Sequence, residues 1–159
     1  MEKIITNSFT ETQKVAAEFA GQILRRKPAI SATVLALKGD LGAGKTTFLQ
    51  GFAKGLGIEE NILSPTFVIM KKFQISNSSF KMFYHFDLYR LNSAEEILQL
   101  DFKEIINNPE NIVAIEWPEK ISDTLSKNAI LIEFNHLESA SAKGSGEAME
   151  NKREIIITL

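Results

Sequence analysis

The 159-residue chain contains no cysteine and only two histidines, His85 and His136. Without thiols it can form neither disulfides nor a thiolate metal site or nucleophile, and two histidines alone are too few for a zinc site. No apolar run approaches the ~18 residues that a transmembrane helix needs, and the N-terminal segment has no signal-peptide core. We therefore expect no membrane contact and a cytoplasmic protein.

An excess of positive charge is also missing. The 18 basic and 20 acidic residues give a formal charge of −2, so no overall positive field would draw the chain to nucleic acid. With 44% hydrophobic residues, the chain is long enough for one globular domain with a real core and too short for a separate substrate domain. We predict a single domain over residues 1–159.

Residues 39–47 are the most informative segment that is present. Their sequence, Gly-Asp-Leu-Gly-Ala-Gly-Lys-Thr-Thr, matches the phosphate-binding loop G-x-x-x-x-G-K-[ST]. Glycines allow positive φ angles, so backbone N–H groups can converge on a polyphosphate, and Lys45 adds a positive charge. The hydroxyl of Thr46 can bind Mg²⁺, and the dipole of the following helix points its positive end at the anion.

The flanking segments have the order that such a loop requires. Residues 33–37 form a continuous apolar run typical of a buried parallel strand, and residues 47–56 have apolar residues at helical spacing. An earlier helix is predicted to begin at a capping box over residues 10–13. Because strand, loop and helix follow one another, the context favours nucleotide binding over a chance glycine-rich turn.

Two acidic residues stand at the ends of predicted strands. Residues 112–115 form a second fully apolar strand, and Glu116 follows it where P-loop proteins carry a carboxylate beside Mg²⁺ and the γ-phosphate. Asp87 follows the strand-like run 80–86, where it can serve Mg²⁺ or the attacking water, although an aspartate after a strand is often a cap. With Lys45, these acids are the candidate catalytic residues.

The overall pattern predicts an α/β fold, a P-loop NTPase domain with a central, mostly parallel sheet, antiparallel edge strands and flanking helices. Residues 67–74 and 80–86 are predicted to form an antiparallel hairpin. The last two strands, 129–134 and 153–159, are separated by a segment rich in Ser, Ala, Gly, Lys and Glu. This segment, residues 138–152, is predicted to be a mobile linker.

Two features keep more than one interpretation. Ser64-Pro65-Thr66-Phe67 is either a plain loop-to-strand junction or a switch loop in which Ser64 or Thr66 senses the γ-phosphate or Mg²⁺. Trp117, the only tryptophan, either packs in the core or contacts the nucleotide.

Four ordered motifs resemble the TsaE family, also called YjeE. They are residues 39–47, Ser-Pro-Thr-Phe at 64–67, His-x-Asp-Leu-Tyr-Arg-Leu at 85–91 and Glu-Trp-Pro-Glu at 116–119. The family consists of bacterial P-loop ATPases of tRNA threonylcarbamoyladenosine (t6A) synthesis, and the resemblance spans nearly the whole chain. It implies an ATPase that uses ATP and Mg²⁺ and binds the TsaB–TsaD heterodimer, in which TsaD modifies adenosine 37 of tRNAs that read ANN codons. Contact with tRNA is implied only through that complex.

The resemblance also assigns residues. It implies that the ATP loop comprises Leu41, Gly42, Ala43, Gly44, Lys45, Thr46 and Thr47. Its Mg²⁺ positions fall on Thr46 and Glu116, and the aspartate of its H-x-D-x-Y-R motif falls on Asp87. The roles of His85, Tyr89 and Arg90 are left unassigned.

The chain departs from the family at one position. Asp101 follows Leu100 where the family usually has glycine, so the local turn, and any partner contact there, cannot be carried over. The motifs do not identify the residues that recognise the base, although Phe9 and Thr10 are candidates.

Other classes of P-loop protein remain to be weighed. A small-molecule or nucleotide kinase commonly clamps two phosphorylated ligands with several arginines, and this chain has only Arg25, Arg26, Arg90 and Arg153. Of these, Arg90 is the only one near a motif. A GTPase needs Asn-Lys-x-Asp, which the chain lacks, whereas a nucleotide-dependent switch that never hydrolyses ATP stays open.

Overall fold

The computed structural model describes residues 1–65, 68–91, 93–125, 128–137 and 152–159. Seven strands are present in this part of the chain: β1 Glu2–Thr6, β2 Thr33–Lys38, β3 Met70–Gln74, β4 Met82–Asp87, β5 Asn111–Glu116, β6 Ile130–His136 and β7 Arg153–Thr158. The helices are α1 Phe9–Leu24, α2 Lys45–Gly55, α3 Ala94–Leu98, α4 Phe102–Asn107 and a 3₁₀ helix, Pro118–Thr124. None of the described helices has the length and apolar character needed to cross a membrane.

All seven strands belong to one sheet with the order β1-β7-β6-β2-β5-β4-β3. The central strands β6, β2, β5 and β4 are parallel, and the outer pairs β1–β7, β7–β6 and β4–β3 are antiparallel. All six residues of β5 are buried, as expected of a parallel strand covered on both faces. The predicted α/β fold is confirmed.

Helices α1 and α2 cover one face of the sheet and pack closely against each other. A Cβ atom at Gly51 would lie 2.2 Å from the carbonyl oxygen of Gln13, and one at Gly55 would lie 2.6 Å from that of Ala17. The two glycines therefore let the helix backbones approach directly. A cluster of phenylalanine rings fills the space between these helices and the sheet: Phe19, Phe48, Phe52, Phe83 and Phe134.

The opposite face carries a smaller core beneath α3, α4 and the 3₁₀ helix. Phe86 of β4 and Phe102 of α4 meet edge to face there, with ring centroids 5.3 Å apart. Helix α3 begins with a capping box at Ser93 and Glu96, in which the Ser93 amide donates to Glu96 Oε1 at 3.2 Å. Helix α3 thus begins at a local side-chain cap.

Two boundaries differ from the sequence predictions, and a third prediction is not tested. The N-cap of α1 is Ser8, whose hydroxyl accepts from the Glu11 amide, while the Glu11 carboxylate accepts from the Asn7 amide. The capping box predicted at residues 10–13 is therefore wrong, and the helix begins two positions earlier. Strand β3 begins only at Met70, because the Val68 and Ile69 amides bond to the Pro65 carbonyl in a turn. The predicted linker, residues 138–152, lies outside the described residues except for Lys152.

Candidate functional site

The predicted phosphate-binding loop connects the end of β2 to the start of α2. Gly39, Gly42 and Gly44 have φ angles of 146°, 80° and 107°, which side-chain-bearing residues rarely adopt. Space is equally restrictive, since a Cβ at Gly39 would lie 2.7 Å from the Phe134 carbonyl oxygen and one at Gly44 would lie 2.8 Å from Arg153. Gly44 caps α2, so the unpaired N–H groups of the first helical turn face the loop.

Lys45 is buried at the first position of α2. Its Nζ donates to the carbonyl oxygens of Gly39 and Asp40 at 2.6 and 2.9 Å and lies 4.1 Å from the centre of the Trp117 ring. Burial is the largest influence on the ammonium and lowers its pKa, although the nearby carboxylates, Glu116 first, oppose the shift. The charge is therefore incompletely compensated, which suits a site that receives an anion.

Thr46, in the first turn of α2, and Glu116, at the end of β5, are in contact although they are far apart in sequence. The Thr46 hydroxyl lies 3.3 and 3.4 Å from the two carboxylate oxygens of Glu116. Glu116 reaches this position because it ends β5, which pairs in parallel with β2 and places Glu116 opposite Leu37, just before the loop. The hydroxyl and carboxylate that the sequence assigns to one site therefore lie side by side.

These two residues fit a Mg²⁺ ion held partly by substrate. Adjacent ligands in an octahedral Mg²⁺ shell with bonds of 2.0–2.1 Å lie about 3 Å apart, close to the observed oxygen separations. Among the described residues, no three His, Asp or Glu side chains gather as a protein-only metal centre would require. Mg²⁺ is commonly held by one or two protein groups together with phosphates, and Thr46 and Glu116 could supply that share.

Asp87 lies beside Glu116 at the end of β4, since the two residues are opposite each other in the β4–β5 register. Its carboxylate accepts from the Tyr89 amide at 3.0 Å and from the Ser64 hydroxyl. The bond from the Tyr89 amide is a local cap, which was one of the two interpretations of Asp87 in the sequence. The bond from Ser64 connects the segment that follows α2 to Asp87. A role for Asp87 toward Mg²⁺ or water stays a prediction.

Ser64 and Trp117 each contact one of the candidate site residues. Ser64 reaches Asp87, whereas Thr66 and Phe67 lie outside the described residues, so the two interpretations of the Ser64 segment stay open. The Trp117 ring packs against the smaller core and also contacts the Lys45 ammonium, with the Tyr89 ring 5.1 Å from it. Trp117 has a left-handed backbone, φ 61°, directly after Glu116.

Sequence reasoning missed two residues of this region. His85 lies with its Nε2 2.8 Å from Oε1 of Glu116, and both side chains are buried. Arg153, assigned only to a terminal strand, is 2% exposed and packs against Gly44, with its guanidinium 4.5 Å from the Phe9 ring centre. The prediction that Arg90 is the only arginine near a motif is therefore wrong, because the sheet brings Arg153 back to the loop.

A signal for Arg153 exists in the sequence. In β7 the buried positions alternate as Arg153, Ile155 and Ile157, so the strand pattern points the arginine inward. A buried arginine is rare enough to indicate a special environment. Burial lowers the pKa of the Arg153 guanidinium from its ordinary value.

The turn around Asp101 explains the chain's departure from the expected glycine. Asp101 has φ 55° and ψ 26°, the left-handed conformation that glycine adopts most easily, and it precedes the first residue of α4. Aspartate and asparagine tolerate this conformation better than most residues. An aspartate can therefore occupy this turn in a conformation that also suits glycine.

A groove of about 290 Å³ lies away from the loop, between β3, β4 and α4. Its lining includes Met70, Lys72, Tyr84 and Asp101, and none of the predicted site residues. At the predicted phosphate-binding loop, which follows the central strand β2, backbone N–H groups would hold an anion.

Comparison with known proteins gives consistent results. The sequence model of one family, described as "Threonylcarbamoyl adenosine biosynthesis protein TsaE", matches residues 6–144. The tRNA threonylcarbamoyladenosine biosynthesis protein TsaE of Haemophilus influenzae is 35% identical over 137 residues, covering 81% of this chain and 84% of that protein. Its counterpart in Rickettsia felis is 41% identical over 133 residues, covering 83% and 70%. A crystal structure of Bacillus subtilis YdiB is similar with a TM-score of 0.67 and 28% identity over 97% of this chain and 82% of that one.

Proposed function

Because the chain belongs to the TsaE family, we propose that it is a Mg²⁺-dependent P-loop ATPase that supports the t6A modification of tRNA together with TsaB and TsaD. The observation that carries the proposal is the meeting of Thr46 and Glu116 beside the buried Lys45. A plain glycine-rich turn requires neither of these contacts. The proposed site of action is the cytoplasm, and contact with tRNA is expected only through the complex.

ATP is the proposed ligand of the loop. Residues 41–47 would surround the phosphates with backbone N–H groups, and the Lys45 ammonium would exchange its bonds to Gly39 and Asp40 for phosphate oxygens. Arg153 adds a second buried cation behind Gly44. Phe9, half exposed beneath that guanidinium, is the best-placed candidate for contact with the base.

Thr46 and Glu116 would hold Mg²⁺, which supplies charge neutralisation at the phosphates during hydrolysis. The chain's own acids supply the remaining chemistry. Glu116 is fixed at the strand end, and the neighbouring Asp87 is the proposed partner for the attacking water. Both roles act mainly in the transition state, so their loss should lower kcat more than ATP affinity.

We expect TsaB–TsaD to stimulate ATP hydrolysis at this site. P-loop hydrolysis becomes fast when an arginine or water-orienting group completes the site, an effect of roughly 10³–10⁵ in rate. Arg90 is exposed and follows Tyr89, whose ring contacts Trp117, so TsaB–TsaD could bind Arg90 close to the site. We therefore expect slow ATP turnover for the isolated chain.

Two other functions are weaker. A kinase needs cations around a second phosphorylated substrate, whereas Arg25 and Arg26 follow α1 at its far end and only Arg153 packs on the loop. A switch that never hydrolyses ATP could use Glu116 for Mg²⁺ but would not need a second acid, Asp87, to orient a water molecule. The buried pair Asp87 and Glu116 favours hydrolysis over that alternative.

The decisive experiment measures ATP hydrolysis and t6A formation on tRNA with the purified chain, TsaB–TsaD, and their mixture. We expect slow hydrolysis alone, faster hydrolysis in the mixture, and t6A formation that depends on the chain. Phosphate transfer from ATP to a nucleoside in a panel of acceptors would identify a kinase instead. Nucleotide binding without turnover in any mixture would identify a non-hydrolysing switch.

A further inference from the structure

His85 is a buried polar residue to which the proposed nucleotide chemistry assigns no role. It lies in β4, its side chain is completely buried, and its Nε2 is 2.8 Å from Oε1 of Glu116. The two residues meet because β4 and β5 pair in parallel, with His85 opposite Ala114 and Asp87 opposite Glu116. His85 therefore points along the same face of the sheet as the two acids.

The direction of this hydrogen bond follows from the chemistry of the two groups. When the Glu116 carboxylate is ionised it only accepts, so in that state the Nε2–H group of His85 donates the hydrogen bond to Glu116. This bond is shorter than the contacts of 3.3 and 3.4 Å from Thr46 to the same carboxylate. Because the terminal torsion of a glutamate is broad, the plane of the Glu116 carboxylate is set by its donors, of which His85 is the stronger.

Packing alone does not explain a histidine at this position. Its Nδ1 is buried and has no hydrogen-bond partner among the described residues. A buried polar atom without a partner lowers stability, and an apolar side chain of similar size would avoid that loss. What histidine adds is the Nε2–H group directed at Glu116.

We propose that His85 is a positioning residue that holds the Glu116 carboxylate in the orientation needed beside Thr46 for Mg²⁺. The inference rests on the proposed function, because it gives His85 a task only if Glu116 serves Mg²⁺ and hydrolysis. His85 acts through Glu116 and does not contact the nucleotide. Groups that orient metal ligands in this way typically change affinity or activity by about 10–100-fold when removed.

Two substitutions with the same functional group form a matched test. In His85→Gln the amide nitrogen reaches the place of Nε2, whereas in His85→Asn it ends near Nδ1 and cannot reach Glu116. We expect His85→Asn to lower both kcat and the gain in ATP affinity on adding Mg²⁺ by about 10–100-fold, and His85→Gln to retain most of both. ATP affinity without Mg²⁺, measured by calorimetry, should be unchanged in both variants.

A double substitution separates positioning from a structural role. On a Glu116→Gln background, His85→Asn should cause no further loss of kcat or of the Mg²⁺ effect, because the carboxylate it positions is already absent. An equal further loss on that background would overturn the proposal. So would a His85→Gln variant as impaired as His85→Asn while thermal unfolding shows both folded.

Nuclear magnetic resonance gives a readout that needs neither turnover nor nucleotide. In the free protein the ¹⁵N signals of the His85 ring should show a proton on Nε2, and this signal should shift in Glu116→Gln. A ring protonated only on Nδ1 would contradict the hydrogen bond itself, even if no His85 variant folds. If wild type shows neither ATP turnover nor a Mg²⁺ effect, the proposed function fails. If wild type shows both and His85→Asn matches it, the proposed function stands and the positioning role fails.

Discussion

Two regions of the molecule build left-handed backbone in opposite ways. In residues 1–58, positive φ angles occur only at Gly39, Gly42, Gly44 and Gly57. In the described part of residues 68–125, they occur only at Ile69, Asn77, Asp101 and Trp117, all of which carry side chains. The first region is a glycine-built platform for the loop, and the second, the middle region, places residues with side chains in conformations that are less favourable for them.

The difference shows where backbone strain is retained. Two of the four positions in the middle region adjoin the candidate acids. The carbonyl oxygen of Ile69 accepts a hydrogen bond from the Asp87 amide at 2.9 Å, and Trp117 directly follows Glu116. A β-branched residue in the left-handed region is a genuine outlier, and such outliers cluster at functional sites. The platform holds the loop in place, and Asp87 and Glu116, the acids of the middle region, lie at the strand ends beside it.

The largest expected effect tests how tightly the platform is packed. Gly51→Ala places a Cβ 2.2 Å from the Gln13 carbonyl oxygen, so α1 and α2 must separate, and we expect a loss of more than about 3 kcal/mol in the free energy of unfolding. Gly21→Ala is the control, because its Cβ would meet only Arg25 at 3.7 Å and should add about 0.5–1 kcal/mol. Similar denaturation midpoints for the two variants would contradict the close helix contact.

Lys45→Ala separates the function of the platform from its stability. Removing the ammonium should weaken ATP binding by about 10²-fold or more, since hydrogen bonds to charged groups contribute about 1.5–3 kcal/mol each. Calorimetric titration measures this loss. The free energy of unfolding should stay close to that of wild type, because burial already disfavours the charge. Unchanged ATP affinity in a folded variant would exclude Lys45 from the site.

Glu116→Gln and Asp87→Asn divide the chemistry of the middle region between its two acids. We expect Glu116→Gln to lower kcat by about 10²-fold, more than it weakens ATP binding, as for other lost transition-state electrostatics. It should also lose the Mg²⁺ dependence of ATP affinity, while Asp87→Asn keeps it. The reverse pattern, measured by titration with and without Mg²⁺, would assign the metal to Asp87.

The lowered pKa of Lys45 also predicts a pH dependence of stability. Between that lowered value and the ordinary lysine pKa of the unfolded chain, the native state binds fewer protons than the unfolded state. Stability should therefore rise with pH across this alkaline window, by at most about 1.4 kcal/mol per pH unit. Subtracting the curve of Lys45→Met isolates this contribution from the other lysines. Parallel curves for the two proteins would refute it.

Asp101 gives the smallest effect and sharpens the contrast between the regions. Asp101→Gly relieves the left-handed conformation but adds freedom to the unfolded chain and removes a negative charge before α4, so we expect a change within about 0.5 kcal/mol. Asp101→Val, in the same conformation, should cost about 1–2 kcal/mol. Chemical denaturation compares the two. Equal stability of the glycine and valine variants would mean that the backbone there is not left-handed.

Much of the architecture could be predicted from local sequence. The loop, the apolar strands before it and before Glu116, and the antiparallel hairpin each have signals contained in a few consecutive residues, and these predict the parallel centre and antiparallel edges. Caps are less certain, because Ser8 and Thr10 both precede a suitable acceptor or donor three positions later. Only the backbone conformation decides that Ser8 accepts from Glu11.

The remaining site residues depend on contacts between distant segments. His85 reaches Glu116 only through strand pairing, and Arg153 reaches Gly44 only because β7 lies two strands from β2. No local pattern states which strands are neighbours. Residue type and burial therefore predict that such side chains are unusual, whereas the sheet order decides what they contact.

The position of Trp117 gives the protein a built-in optical probe. It is the only tryptophan in the chain, so its emission is not mixed with that of another indole. Its ring lies 4.1 Å from the Lys45 ammonium and 5.1 Å from the Tyr89 ring. A ligand that draws the ammonium toward phosphate oxygens changes the electric field on the indole and hence its emission. Filling of the loop can thus be followed in unlabelled protein, on the timescale of a stopped-flow measurement.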